Sequence, residues 1–309
     1  MITGNSPAIA QLRQEIARLA ASSCNVLISG ETGTGKEVVA RELHVQSLRG
    51  NGRFVAVNCS ALPDTLIESE FFGYCEGAFT GALRAKVGLV ERAHQGTLFL
   101  DEISEASPAL QAKLLRVIQE QEFTRLGGHE AVKVDVRIVA AGNGDLEAAI
   151  REKRFREDLY YRVNGARIFL PPLRERKEDL PDLARAFLPP GQEADPALFP
   201  MLADYAWPGN IRELKNVVEK MCLFAAGRPL TPDDLPQEIR DALQVSHLLR
   251  KYPGRDFRKA RDEFEKRFLA ESLRLNHFNI TKTAQQIGIN RIYLHRMINK
   301  FGILPRSDA

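Results

Sequence analysis

The chain has 309 residues, 44% of them hydrophobic, which suits roughly two or three domains with buried cores, while a formal charge of +3 indicates little about partners. Four scattered cysteines without a CxxC pair argue against a zinc site or a disulfide framework and fit a reducing cytosol. No apolar run approaches the roughly 18 residues of a membrane span, and the start lacks a signal-peptide pattern, so we expect a cytoplasmic protein without membrane contact.

Short apolar strands alternate with helices along the first half of the chain. Residues 6–20 predict an amphipathic helix, capped by Ser6 and begun by Pro7. Further elements are predicted as strands at 25–29, 54–58, 97–101 and 136–141, and as helices at 37–48 and 107–119. This alternation is typical of an α/β fold whose parallel sheet is covered by helices on both faces.

A glycine-rich loop follows the first strand and precedes a helix. Its sequence, Gly30-Glu31-Thr32-Gly33-Thr34-Gly35-Lys36, fits the pattern GxxxxGK. Backbone N–H groups in such a loop turn toward phosphate oxygens, and the lysine reaches the β- and γ-phosphates. Position 37 is Glu where Ser or Thr usually coordinates Mg²⁺, so the metal must depend on other ligands or on water.

Two acids close the third predicted strand, at Asp101-Glu102, and this resembles a Walker B motif. Asp101 would hold Mg²⁺, mostly through water, and Glu102 would act as general base on the attacking water. Two acids that merely cap a turn would look the same. The phosphate loop about 65 residues upstream in the same α/β unit favours the catalytic interpretation.

The second half of the chain has no further predicted strands. We interpret 1–172 as an α/β ATPase subdomain, 173–244 as a helical lid, 245–259 as a linker and 260–309 as a helix-turn-helix domain. In the last domain, helices are predicted at about 262–275, 283–287 and 291–301. Leu294, Ile298 and Phe301 would pack inward in the third helix.

The third terminal helix leaves its basic and amide side chains facing outward. Asparagine and arginine suit base edges in the major groove, whereas lysine suits phosphates. The alternative is a helical dimerisation module, and we favour binding of double-stranded DNA. The candidate DNA-binding residues are Asn290, Arg291, Tyr293, His295, Arg296 and Lys300.

A hexapeptide between the second and third strands distinguishes the chain from a generic ATPase. It reads Gly77-Ala78-Phe79-Thr80-Gly81-Ala82, the GAFTGA signature of sigma-54-dependent activators. Matching segments flank it at 30–37, 54–62, 170–176 and 207–216, and the terminal helices resemble the family's Fis-type domain. The chain therefore resembles this family of AAA+ ATPases over nearly its whole length, and the hexapeptide is expected to contact sigma-54.

The resemblance also implies roles for single residues. Asn58 corresponds to the switch asparagine that engages Glu102, Asn143 to sensor I, and Arg212 to sensor II acting in cis. Arg156 and Arg162 match the arginine-finger region, which reaches the γ-phosphate of a neighbouring subunit. Two positions depart from the family pattern, namely Gly142, where Thr is common, and Cys75, where an acid is usual.

The resemblance implies an ATP- and Mg²⁺-dependent activator that binds upstream DNA and opens the sigma-54 RNA polymerase promoter complex as a homo-oligomeric ring, a hexamer by expectation. One alternative is another AAA+ machine that remodels a protein or nucleic acid. A second is a DNA-binding repressor that uses nucleotide only as a switch. The hexapeptide opposes the first alternative, and the intact catalytic acid and arginines oppose the second.

Overall fold

The computed structural model describes residues 2–60, 64–142, 146–251 and 256–303. It divides into two compact units, Met1–Pro236 and Gln237–Ala309. Within the described residues, no helix is both long enough and apolar enough to cross a membrane.

The first unit is built on a five-stranded parallel sheet with the order β2-β5-β8-β1-β9. The four predicted strands and the α/β class are confirmed, and β9 is a fifth strand that the sequence patterns did not reveal. The strands are β1 Val26–Ser29, β2 Phe54–Asn58, β3 Gly73–Tyr74, β4 Lys86–Val87, β5 Thr97–Asp101, β6 Glu122–Thr124, β7 Ala131–Lys133, β8 Arg137–Gly142 and β9 Ala166–Phe169.

Helices cover both faces of this sheet. Those of the α/β part are α1 Pro7–Ala20, α2 Lys36–Val45, α3 Asp64–Phe72, α4 Leu89–Arg92, α5 Pro108–Glu120, α6 Leu146–Arg151 and α7 Glu157–Val163. Ser6 caps α1 as predicted, because its hydroxyl accepts from the Ile9 amide at 3.3 Å.

Alternating residues of the central strands pack into two separate cores, one on each face of the sheet. Leu98 and Leu100 of β5 pack in one core with α3, α5 and α7, whereas Phe99 between them packs in the other with α1 and α2. This follows from the two-residue period of a strand, which sends successive side chains to opposite faces. A sheet buried on both faces holds its strand ends at fixed positions.

Helices of the lid follow the sheet in the first unit. They are α8 Leu180–Phe187, α9 Leu198–Asp204 and α10 Asn210–Ala225. Trp207 is fully buried between α9 and α10, and its indole N–H donates to the Leu202 carbonyl at 2.7 Å. This bond satisfies the polar edge of the ring and fixes the turn that starts α10.

The second unit contains α11 Gln237–Lys251, α12 Phe257–Leu275, α13 Ile280–Gln286 and α14 Arg291–Phe301. Helix α11 continues through 245–251, part of the predicted linker, because no Gly or Pro interrupts it there. Residues 252–255 of that linker lie outside the described part of the chain. The division after Pro236 also precedes the predicted end of the lid at residue 244.

The three terminal helices share a small core of their own. Leu294 and Met297 of α14 are buried against Leu269 and Leu273 of α12, and Ile298 and Phe301 are half-buried. Met297 is thus a core residue that the inward set predicted from the sequence omitted. Asn279 and Asn290 cap α13 and α14 with their side chains.

Candidate functional site

The glycine-rich loop, Asn58 and the acid pair lie at the carboxyl edge of the parallel sheet. The glycine-rich loop follows β1, Asn58 ends β2, and Asp101 ends β5 opposite it in register. Gly142 ends β8, between the first and third of these strands. Asn143, the sensor I candidate, lies outside the described residues. Loops after parallel strands gather at one edge, so residues far apart in sequence form one site.

The loop of residues 30–36 wraps around its own lysine. The Lys36 ammonium donates to the carbonyls of Gly30 at 2.9 Å and Glu31 at 3.0 Å, and burial lowers the pKa of this lysine. Gly35 adopts a positive φ of 101° as it leads into α2, a conformation that favours glycine. The loop therefore presents a helix N-terminus and a buried ammonium on one side, which suits phosphate.

The first turn of α10, in the lid, forms hydrogen bonds with this loop. The Gly33 carbonyl accepts from the amides of Ile211 at 2.9 Å and Arg212 at 3.3 Å. A Cβ on Gly33 would lie 2.3 Å from the Gly209 carbonyl oxygen, so only glycine permits this approach. The contact places Arg212 close enough for its charge to act on Lys36 and Glu102.

A polar cluster strengthens the contact between lid and loop. Fully buried Asn210 donates to the Thr32 carbonyl at 3.0 Å and to Glu31 at 3.2 Å, and accepts from the Leu173 amide at 2.8 Å. Arg174 forms two bonds to the same carboxylate, at 2.8 and 2.6 Å. Hydrogen bonds from Arg174 and Asn210 lower the pKa of Glu31 to about 2. Our sequence interpretation gave neither Arg174 nor Asn210 a role.

The acid pair lies beside a second polar cluster. The Ser60 hydroxyl lies within hydrogen-bond distance of two side-chain oxygens, those of Glu102 and, at 2.8 Å, the Asn58 Oδ1. Bonds from Ser60 and Asn58 lower the pKa of Glu102, whereas burial raises the pKa of Asp101. Asn58 and Glu102 are thus brought together as predicted. Ser60 is an additional member, which its position two residues after Asn58 could have indicated.

The acids fit a magnesium ion held together with nucleotide phosphates. Such ions take one or two carboxylates plus waters and phosphate oxygens, rather than a cage of protein ligands. Among the described residues no group of three or more His, Cys, Asp or Glu side chains is placed to hold a metal ion. Asp101 offers the half-buried carboxylate, whereas Glu37 is occupied by two bonds from Arg41 on the same helix.

The two arginine-finger candidates flank α7. Arg156 directly precedes the first residue of this helix, and its guanidinium donates to Asp158 at 3.1 and 2.8 Å. Those bonds raise the pKa of Arg156. Arg162 is exposed in the last turn of α7. Both residues are exposed, and within the described residues no contact joins either side chain to the glycine-rich loop of the same chain.

The hexapeptide lies at the tip of a hairpin formed by β3 and β4. The Gly77 amide donates to the Ala82 carbonyl at 2.9 Å and closes the tip. Phe79 is 48% exposed, with its ring edge against Tyr74 at 5.0 Å between centroids. One side of the hexapeptide loop packs against the turn between β6 and β7. The packing is close at Gly127, where an added Cβ would lie 2.6 Å from the Ala78 Cβ.

The predicted DNA-contacting side chains share the outer face of α14. Arg291, Tyr293, His295, Arg296 and Lys300 are all exposed. Asn290 uses its carboxamide oxygen to accept from the Ile292 amide at 2.7 Å, which leaves its NH₂ group as the donor for a partner. Lys300 forms an ion pair with Asp262 of α12 at 2.9 Å.

The two departures from the family pattern are both accommodated. Among the described residues, a Cβ on Gly142 would meet only Leu146, at 3.8 Å, an ordinary van der Waals distance. Cys75 packs beside Gly128 in the neighbouring turn, and its amide donates to the Leu126 carbonyl at 2.9 Å. Neither contact reaches the acid pair.

Two family descriptions match the chain in succession. Residues 2–169 match the Sigma-54 interaction domain, and residues 174–251 match the AAA+ ATPase lid domain.

Two curated relatives show how far the similarity extends. Regulatory protein AtoC of Escherichia coli (strain K12) is 45% identical over 314 residues, covering 98% of this chain and 68% of AtoC. The Nif-specific regulatory protein of Azotobacter vinelandii is 48% identical over 241 residues, covering 75% of this chain but 46% of that protein. The chain thus spans about half to two thirds of the length of these relatives.

A solved structure agrees with the fold along almost the whole chain. NtrX from Brucella abortus in complex with ADP has a TM-score of 0.73 and 36% sequence identity, covering 98% of this chain and 70% of NtrX. NtrX in complex with ATP has a TM-score of 0.70 at 37% identity, covering 97% and 69% of the two chains.

Proposed function

The chain belongs to the Sigma-54 interaction family of AAA+ ATPases, and on this premise we propose that it uses ATP hydrolysis to convert the closed promoter complex of sigma-54 RNA polymerase into an open one. The same proposal includes binding of upstream double-stranded DNA and assembly into a homo-oligomeric ring, a hexamer by expectation. It also includes a cytoplasmic location. The ADP and ATP complexes of NtrX support nucleotide binding at the glycine-rich loop.

The observation that carries the proposal is the separation of the hexapeptide from the catalytic residues. The hairpin of β3 and β4 belongs to the same unit as the glycine-rich loop, yet its half-exposed Phe79 has no part in the nucleotide edge. A large apolar side chain between Gly77 and Gly81 contributes little to the core and is available to a partner. Another kind of AAA+ machine would have no use for this loop.

Hydrolysis is assigned to the residues at the sheet edge. Lys36 and the amides of its loop bind the phosphates, and Glu102 orients and deprotonates the attacking water. Asn58 and Ser60 hold the Glu102 carboxylate by hydrogen bonds. When Glu102 changes its hydrogen bonds during hydrolysis, Asn58 can therefore shift the end of β2 and the segment that leads from it to the hairpin. Mg²⁺, when bound at Asp101, neutralises phosphate charge.

The arginines complete the site from outside. Arg212 of the lid acts in cis, since the first turn of α10 is bonded to the glycine-rich loop. Arg156 and Arg162 act on the γ-phosphate of a neighbouring subunit, because each is exposed and neither contacts its own loop within the described residues. Activity then depends on assembly.

DNA binding is assigned to the exposed face of α14. Arg291 in its first turn is suited to base edges, whereas Lys300 in its last turn is suited to a phosphate. Lys300 must exchange its bond to Asp262 for that phosphate when DNA binds. The charge-driven affinity for any DNA sequence therefore comes from the last turn of α14, and the preference for particular bases comes from its first turn.

Replacing Phe79 by alanine tests the proposed function directly. We expect F79A to retain most of its ATPase activity, because Phe79 lies outside the nucleotide edge, and to lose open-complex formation with sigma-54 polymerase. L83A is the matched control, since Leu83 is 84% exposed in the same loop but outside the hexapeptide. Transcription in vitro and phosphate release are measured on the same preparations. Normal transcription by F79A would rule out the hairpin as the sigma-54 contact.

A further inference from the structure

A buried glutamine on α5 joins two segments that the proposed mechanism assigns to different catalytic sites. Gln111 is 1% exposed and is the fourth residue of the helix that follows the acid pair. Its carboxamide nitrogen donates to the Ala106 carbonyl at 2.7 Å and to the Arg154 carbonyl at 2.9 Å. Its carboxamide oxygen accepts from the Arg156 amide at 2.9 Å. One side chain therefore bonds both to the turn after Glu102 and to the segment that begins α7.

On the first side, Gln111 contacts the turn that carries the proposed base. Glu102 has a left-handed φ of 51°, and its carbonyl accepts from the Glu105 amide at 2.9 Å. The Ala106 amide donates to the Ile103 carbonyl at 3.2 Å in the same turn. The Ala106 carbonyl that accepts from Gln111 thus belongs to a turn whose backbone is fixed relative to Glu102.

On the second side, Gln111 contacts the backbone where α7 begins. Arg156 directly precedes this helix, and its carbonyl accepts from the Tyr160 amide at 3.1 Å. Phe155, one position earlier, is buried in the same core as Leu110 of α5. Apolar packing at Phe155 and a polar bond at Arg156 therefore hold the start of α7 against α5.

We propose that Gln111 is a positioning residue for the arginine fingers, because it fixes the start of α7 relative to the turn after Glu102 of the same subunit. The inference rests on the proposed action of Arg156 and Arg162 on the γ-phosphate of a neighbouring subunit. Apolar packing sets the distance between α5 and α7 but permits sliding, whereas buried hydrogen bonds are directional and specify one arrangement. Gln111 thus serves hydrolysis in the neighbouring pocket, not in its own.

Mixed assemblies of the full chain test this assignment. In Q111M, a side chain of similar length replaces the carboxamide and makes none of the three bonds. Because a displacement of about 1 Å is enough to disturb catalysis, we expect Q111M alone to lower kcat roughly 10²-fold while the Kd for ATP changes little. Mixing Q111M with K36A should restore part of the phosphate release, since K36A supplies fingers to intact Q111M pockets. Mixing Q111M with R156A should restore none, since neither subunit then supplies a well-placed finger.

Two further preparations serve as controls. The mixture of K36A with R156A gives the reference activity, in which an intact pocket receives a finger from a different subunit. Q119M makes the same replacement at an exposed glutamine of α5, and we expect it to hydrolyse ATP as wild type does.

Several results would overturn the proposal. A Q111M protein with wild-type kcat would show that the three bonds are dispensable. Recovery of activity with R156A would show that Q111M supplies sound fingers, so that its defect lies in its own pocket. A Q111M protein that recovers with neither partner, or that no longer binds ATP, would assign Gln111 to the fold of the whole subunit. An inactive mixture of K36A with R156A is a distinguishable result, because it would refute the proposed action of the arginines in trans.

Discussion

Glycines serve opposite purposes at the nucleotide edge and in the hexapeptide hairpin. Gly33 is enclosed by the lid, and an added Cβ would collide with the Gly209 backbone. Gly77 and Gly81 also have positive φ angles, of 77° and 105°, yet no atom of the described residues lies within 4 Å of an added Cβ at either position. The first region needs glycine for close packing, whereas the second needs it for conformational freedom. Tight packing fixes catalytic geometry, and an open loop can move against a partner.

Removing Arg162, a proposed arginine finger, should have the largest effect on hydrolysis. R162A is expected to lower kcat by roughly 10³-fold or more, because this charge is needed only in the transition state. ATP binding by the altered subunit should persist, since Arg162 lies away from its own loop. Mixing R162A with K36A should restore part of the phosphate release, because one subunit supplies the finger and the other the pocket. Mixed rings without any activity would contradict action in trans.

Removing Glu102, the proposed base, should have the next largest effect. E102Q keeps the shape of Glu102 and its bond from Ser60 but cannot take a proton, so we expect kcat to fall roughly 10²-fold or more while the Kd for ATP changes little. E105Q, a change to the exposed acid three residues later, is the matched control. An E102Q protein that hydrolyses ATP within a factor of two of wild type would disprove the role of base.

Alanine at the two kinds of glycine tests the comparison itself. G33A should push the lid off the loop and raise the Kd for ATP more than about 10-fold, since backbone strain of roughly 1–3 kcal/mol adds to the collision with Gly209. G81A has similar strain and no collision, so its Kd for ATP should stay near wild type. Equal losses of ATP binding in G33A and G81A would show that the hairpin also influences nucleotide binding.

The smallest effect is expected at the ion pair between Arg174 and Glu31. The pKa of Glu31 is lowered to about 2 from an ordinary value of 4.5, so its contribution to stability is complete above pH 4.5 and is lost as the pH falls toward 2. E31Q should therefore lower the Tm slightly at pH 7, and its difference from wild type should shrink across that window. E37Q, which alters the pair with Arg41 inside α2, should leave the contact between lid and loop intact. A difference in Tm that is independent of pH would assign the effect to packing.

Local patterns predicted a large part of this structure. Apolar runs gave four of the five strands of the main sheet, and Ser6 and Ser107 marked the starts of α1 and α5 correctly. Strand β9 was missed because Ala166–Phe169 is a four-residue strand at the sheet edge, and Arg167 breaks its apolar run. Helix α11 continued into the predicted linker, since sparse periodicity does not end a helix without a breaker.

The sequence by itself determined which chemistry to expect of this protein. The glycine-rich loop, the acid pair and the hexapeptide are contiguous segments, so their residue types indicate phosphate binding, hydrolysis and a partner contact without knowledge of the fold. Only the tertiary structure decided which distant residues complete the site. Ser60 contacts Glu102, and both Arg174 and Asn210 contact Glu31, across 42 to 179 positions of sequence. Such contacts leave no local periodicity, since they arise when parallel strand ends and the lid converge on one edge.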